Sequence, residues 1–224
     1  MDAGAVIAVF VVAAGIVPIV AWWRSPSRRA RRLLARVAEQ SLGAVGDGER
    51  VRVRGVAVRA TGNLEAPFTR RKCLGFLAIV EEQRNGTWNE ILRIEECLPF
   101  IVAIDGFEAR VEGPFFVGLD IDARGDALSP PIRETIRAHG VTLSAWGWTL
   151  PLRFHESALE ENDQIWVLGR ASVVVDPRGQ RQALRGLPIV RVFKGTAREP
   201  VVVADAHGAT ARQQGAGDAS SSPE

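Results

Sequence analysis

The sequence predicts a mainly β protein: an N-terminal transmembrane helix, then an antiparallel β-barrel or sandwich of OB-like character carrying one short helix. Three observations predict this class. Residues 3–23 are apolar without one charge. From Glu49 onward the apolar period becomes two and β-branched residues dominate. Asn85-Gly86 and Asp105-Gly106 then cut that region into hairpins, since both dipeptides favour the positive φ angles of a two-residue turn.

Composition narrows the class. At 224 residues, 46% hydrophobic and 24% charged with a net charge of +2, the chain is not disordered, collagen-like or polytopic. Two cysteines are too few for a disulfide-stapled scaffold or a four-ligand zinc ribbon. The arginines are spread over every segment, so the near absence of lysine (only Lys72 and Lys194) carries no functional signal. The expected organisation is an anchor over 1–24, a juxtamembrane basic amphipathic helix over 25–43, a β-domain over 49–204 and a disordered tail over 205–224.

The apolar run closes on Trp22 and Trp23, rings that prefer the headgroup level. As a helix it would cover about 31 Å, against roughly 30 Å of hydrocarbon. A cleaved signal peptide is the competing reading, but a basic start and a small-residue cleavage site are both missing. Arg24, Arg28, Arg29, Arg31, Arg32 and Arg36 follow, with no acid until Glu39, while Asp2 alone precedes. The positive-inside rule then predicts a single-pass protein with its N-terminus outside and its C-terminal domain cytoplasmic. Ser25 as N-cap, Pro26 at the first helical position and Gly43 past the last turn delimit the juxtamembrane helix. Leu33, Leu34, Val37, Ala38 and Leu42 share one of its faces. The basic residues from Arg24 to Arg36 either bind anionic lipid headgroups or only set topology.

Within the β-domain, 51–60 alternates strictly except at Gly55, where a bulge is expected. Strands 74–80 and 88–94 flank Asn85-Gly86, and strands 98–104 and 107–111 flank Asp105-Gly106. A short strand at 115–119 precedes a helix at 131–139, which opens on Pro131 and stops before Gly140. The longest alternation, 145–155, sets Trp146, Trp148, Leu150, Leu152 and Phe154 on one face, expected to line the barrel interior. Strands 165–175, 188–193 and 201–203 complete the set.

Chemistry-bearing patterns are sparse. His139, His155 and His207 are isolated, and Cys73 and Cys97 stand 24 residues apart, so no metal pattern assembles. The Asp120 to Asp126 segment fails as a calcium loop at Arg124 and Pro131, and reads as a surface turn. Phosphate-binding, dinucleotide-binding and nucleophile-elbow motifs are missing. His155 and Glu156 are neighbours on a strand and therefore point to opposite faces. Trp146 and Trp148 could stack bases, yet their face is shared with Leu150, Leu152 and Phe154, which favours core packing. No catalytic residue, metal ligand or cofactor is expected.

Two groups of residues carry a family resemblance: Val53, Gly55, Val58, Leu64, Ala66, Pro67 and Cys73, then Glu156, Leu159, Asp163, Leu168 and Gly169. With Trp88 and the strand over 100–105, they resemble the GIDE domain, also called BAM ("beside a membrane"), over about residues 49–194. That domain occurs in mitochondrial membrane-anchored ubiquitin ligases and in bacterial and archaeal membrane proteins. The resemblance implies a partner-recognition module beside a membrane. The ligases end in a RING finger; this sequence has no C-terminal Cys/His cluster, so ligase activity does not carry over. Asn162 stands where the family has Gly before Asp163, and Asn tolerates the same left-handed turn. Ala66-Pro67, Cys73 and Glu156 are either partner-binding positions or, respectively, a turn, a core thiol and a carboxylate that accepts backbone amides.

The function expected is a membrane-tethered, non-enzymatic β-domain that binds an as yet unidentified protein partner or organises a complex at the cytoplasmic face. Two alternatives compete: a hydrolase or transferase with a site near His155 and Glu156, and an OB-like binder of nucleic acid or another anionic ligand.

Overall fold

The computed structural model describes residues 26–120, 123–125, 129–141, 151–175 and 189–206. The expected transmembrane helix, Arg24, Trp146, Trp148, Leu150, His207 and the expected tail beyond it lie outside the described residues. Among the described residues no helix is long and apolar enough to cross a membrane.

The described elements in chain order are α1 (Pro26–Ala35), β1 (Arg50–Arg59), β2 (Leu64–Glu65), β3 (Lys72–Cys73), β4 (Gly75–Arg84), β5 (Thr87–Cys97), β6 (Phe100–Ile104) and β7 (Phe107–Glu112). They continue with β8 (Phe115–Val117), β9 (Ala123–Gly125), α2 (Pro130–Ala138), β10 (Leu152–Leu159), β11 (Gln164–Val175), β12 (Ile189–Lys194) and β13 (Val201–Asp205). Both hairpin dipeptides form turns of positive φ, 50° and 76° at Asn85-Gly86 and 47° and 79° at Asp105-Gly106.

Five strands close a barrel in the order β1-β6-β7-β12-β11, sealed by the β1–β11 pairing. It is not wholly antiparallel: β12 runs parallel to β7, and past short interruptions the same parallel pairing resumes between β13 and β8. Val51, Val53, Phe100, Val102, Val111, Ile165, Val167 and Phe193 fill the interior.

The expected bulge at Gly55 does not form. The β1–β11 register runs unbroken from Arg50↔Arg170 to Val56↔Gln164, so Gly55 points inward and Val56 outward. A Cβ at Gly55 would stand 2.5 Å from Ile104 Cγ1 and 2.7 Å from the Ala103 carbonyl oxygen. Glycine is there because β6 approaches too closely for any side chain.

A second sheet, β5-β4-β10-β9, is inserted between barrel strands. One of its faces contributes Leu74, Leu77, Ile79 and Leu159 to the barrel core. The other packs Phe76, Ala78, Val80, Leu152, Phe154 and Ala158 against Ile132 and Ile136 of α2. Leu152 and Phe154 thus belong to this second core, not to the barrel interior where alternation alone had placed them. Cys73 also joins the second core, with Phe76 and Ala78. A continuous strand would set it with Gly75, Leu77 and Ile79, but β3 ends at Cys73 and the break at Leu74 flips the strand phase. Residues 123–125, read as part of a surface turn, form β9 against Phe154–Glu156.

Helix α1 is shorter than the span 25–43. After Ala35 the backbone tightens through Arg36 N to Leu33 O and Val37 N to Leu34 O, and Gln40 N then donates to Arg52 O of β1. Leu42 and Val45 leave the helix to plug the barrel end, 0% and 3% exposed. Helix α1 itself docks outside the barrel, burying Ala30 and Leu34 against Leu168, Val202 and Ala204.

Candidate functional site

Four of the positions that carry the resemblance converge. Ala66, Pro67, Cys73 and Glu156 meet where the β2–β3 ribbon lies over β10. The Glu156 side chain is buried at 1% exposure and accepts hydrogen bonds from Phe68 N at 2.7 Å, Thr69 N at 3.2 Å and the Thr69 hydroxyl. Burying a carboxylate costs several kcal/mol, roughly, unless donors compensate, so the ribbon folds over Glu156 because it brings them. Arg71 extends the network, donating from Nε to Thr69 Oγ1 at 3.1 Å and from Nη1 to Glu160 Oε1 at 3.0 Å. Arg70 adopts a left-handed φ of 59° and bridges Glu65 at 3.2 Å and Glu134 of α2 at 3.1 Å. Thr135 Oγ1 donates to the Pro131 carbonyl of its own helix at 2.9 Å and lies 3.4 Å from the Pro67 carbonyl.

Cys73 sits beneath this network. Burial, reinforced by the Glu156 carboxylate, pushes its thiol up to about 11. Burial likewise holds Cys97 up to about 12, with the charge of Cys73 adding to it. Both are therefore thiols, not thiolates, at neutral pH, which is the unreactive form. No group of three or more His, Cys, Asp or Glu among the described residues is placed to hold a metal ion.

His155 and Glu156 do point to opposite faces. His155 Nε2 lies 2.8 Å from Glu81 Oε2, and Arg153 Nε donates to the same oxygen. The His155 hydrogen bond first, and Arg153 after it, depress the Glu81 carboxyl to about 2. The Arg153 guanidinium also covers the ring of Trp88 at 4.4 Å from its centroid. Trp88 therefore belongs to this second polar cluster, away from the Glu156 ribbon. His155 Nδ1 and Ser157 Oγ are buried without a hydrogen-bond partner. Glu81, Arg153, Thr69 and Arg71 were invisible in the sequence, because only the β4–β10 register and the ribbon's fold bring them to their partners.

The remaining motif positions are architectural. Gly55 and Gly169 lie inside the barrel wall, and a Cβ at Gly169 would stand 3.3 Å from Val201 Cγ2. Asp163 caps its own turn by accepting from Glu160 N at 2.7 Å, while Asn162 takes a φ of 75°.

A third region, the outer surface beneath α1, is basic. Arg29 lies over the Phe116 ring at 5.1 Å, and Arg52 and Arg54 cover Trp166 at 4.6 and 5.7 Å. Arg52 Nη1 also donates to the Leu34 carbonyl at 2.9 Å, tying β1 to the end of α1. Among the described residues, Asp120 pairs with Arg31 and accompanies Asp205, which accepts from Asp120 N, and Glu39 stands 3.9 Å from Arg52. No family model, curated protein or solved structure matches the chain.

Proposed function

We propose that this protein is a membrane-tethered, non-enzymatic β-module that presents its barrel to a protein partner at the cytoplasmic face. The observation that carries the reading is the docking of α1. The arginine-rich helix that follows the apolar run at 3–23 is packed onto the barrel through Ala30 and Leu34, at 0% and 4% exposure. A tether whose first helix is part of the fold would hold the domain in a fixed attitude to the bilayer, which suits a scaffold. The motif likeness to the GIDE (BAM) family belongs to the same proposal and rests on the residues named above.

The barrel is proposed to be OB-like. Counting only its own strands, the order is 1-2-3-5-4 closing on 1 with the third and fifth parallel, a five-stranded Greek-key arrangement. OB folds bind oligonucleotides over strands two and three, here β6 and β7. Their outward side chains are Ile101, Ala103, Glu108 and Arg110, with Arg110 held by Glu112 at 3.0 Å. Phe107 is half-exposed at the turn end of β7 near Gly43, but no ring stands among those outward side chains and carboxylates outnumber cations there, so protein is the better-supported partner. An enzyme built on His155 and Glu156 finds no support either, since each group is committed to a different structural network.

The test uses the full chain in sealed membrane vesicles of known sidedness. The chain should resist alkaline carbonate extraction. Its β-domain should be cut only by protease on the cytoplasmic side, and photo-crosslinkers at Ile101 and Arg110 should trap one discrete protein adduct. Release by carbonate would overturn the tether, digestion from the outer side the orientation, and the lack of any adduct the partner role of β6 and β7.

A further inference from the structure

We infer that the outer surface formed by α1, Arg52, Arg54 and Trp166 lies flat on the bilayer and binds the phosphates of anionic phospholipids. This deepens the tether reading and rests on it. The sequence showed a row of arginines after an apolar run; the fold adds residues remote from that row. β1 and β11 pair Arg54 with Trp166 and Arg52 with Leu168, so their outward side chains stand beside the docked helix. Arg52 secures the far end of α1 through the Leu34 carbonyl, so the basic surface extends beyond the helix onto β1.

Charge complementarity points to an anionic partner. No acidic residue occurs from Pro26 to Ala38, and the nearby Asp120 and Glu39 are taken up by Arg31 and Arg52. Arg29, Arg36 and Arg54 have no carboxylate within ion-pair distance among the described residues. Chain continuity points to lipid as its source. Only three residue steps separate Trp23 from Pro26, at most about 11 Å of extended backbone. If the apolar run is in the bilayer, α1 cannot start far from the headgroups. The rings on this surface favour lipid over nucleic acid as well, because Phe116 and Trp166 are covered by guanidinium groups and not open for base stacking. Ring and guanidinium together suit the interface, where aromatic side chains settle at headgroup depth and arginines meet phosphate.

The attitude is what a test must read, so the probe belongs at the end of α1 distant from the anchor. Ala35 is exposed there, and a spin label on Ala35→Cys is selective at neutral pH because Cys73 and Cys97 are buried or half-buried thiols of raised pKa. The full chain would be reconstituted into nanodiscs of phosphatidylcholine alone or with phosphatidylglycerol. Collision of the label with a water-soluble nickel chelate is then measured. With phosphatidylglycerol the label should be shielded; in neutral discs it should stay open. Each arginine removed should lower the shielded population about fivefold. The R29Q/R36Q/R54Q variant should therefore lose the shielding about a hundredfold in population, with its melting temperature as the control for folding.

Equal openness of the label in both lipids would overturn the inference, as would shielding that ignores both lipid charge and the triple substitution. Shielding by an added thymidine oligonucleotide in neutral discs would assign the surface to nucleic acid and overturn it too. A chain that elutes apart from the discs would remove the tether reading itself, a failure distinct from incorporation with an indifferent label.

Discussion

At Glu156 a carboxylate is taken out of water and three donors take the place of its hydration: two backbone amides and one hydroxyl. Truncating it removes the acceptor and leaves Phe68 N and Thr69 N facing the second core. Glu156→Ala should cost about 3–5 kcal/mol in urea unfolding, the range for breaking a buried charged network. Glu156→Gln keeps one acceptor oxygen and should cost less; equal loss in both variants would show that charge, not acceptance, is what holds the ribbon. The thiol below makes a pH prediction. The folded Cys73 pKa, about 11, lies above the unfolded value near 9, so its contribution is complete below about pH 9. Stability should then fall as pH rises from about 9 towards 11, because only the unfolded chain ionises there. Cys73→Ala should roughly halve the slope of that part of the alkaline profile, Cys97 supplying the rest through its own raised pKa, and Cys73 in the native chain should label slowly at neutral pH. Rapid labelling without unfolding would contradict both its burial and its raised pKa.

At the scale of elements, α1 depends on a glycine in the segment after β8. A methyl group at Gly118 would overlap the Ala30 Cβ and come within 3.2 Å of the Pro26 carbonyl oxygen. Neither atom belongs to a flexible side chain, so Gly118→Ala should lift the helix from β13. Tryptic cleavage between Arg28 and Arg36 should accelerate by more than about tenfold, equivalent to about 1.4 kcal/mol of lost docking, while native-state labelling of Cys73 stays unchanged. Unaltered cleavage would mean that α1 is held by something other than this contact. The same scale marks what a sequence can reveal. Hairpins at Asn85-Gly86 and Asp105-Gly106 and the helix after Ser129 were legible because turn chemistry and period are local. The phase flip at Leu74, the side on which Leu152 and Phe154 pack, and the pairing of Glu81 with Arg153 depend on which strand lies alongside. Register of that kind is set by the whole sheet. Of the Glu156 site, a carboxylate accepting backbone amides was one of the two readings left open for that position; its donors, eighty-odd residues earlier, were not legible.

Among the described residues, two of the three buried apolar clusters share one sheet. β4 sends Leu77 and Ile79 into the barrel core and Phe76, Ala78 and Val80 into the core against α2. β10 does the same with Leu159 on one side and Phe154 on the other. Neither β4 nor β10 can leave one core without disturbing the other, so the barrel and the inserted sheet should unfold as a single cooperative unit. Two native thiols report on the two cores: Cys73 packs in the second, and Cys97 packs against the first. Phe154 is 2% exposed and meets the Phe68 ring edge-on at 6.0 Å, far from the barrel interior. Phe154→Ala should cost about 3–5 kcal/mol. In the limit where labelling follows opening, both cysteines should then label faster by the same factor once the native-state labelling of half-buried Cys97 is subtracted, since the remainder needs one shared opening. Acceleration at Cys73 alone would show instead that the inserted sheet opens by itself over a barrel that remains closed. The closed barrel would then be the permanent part of the fold, and the second core a detachable one.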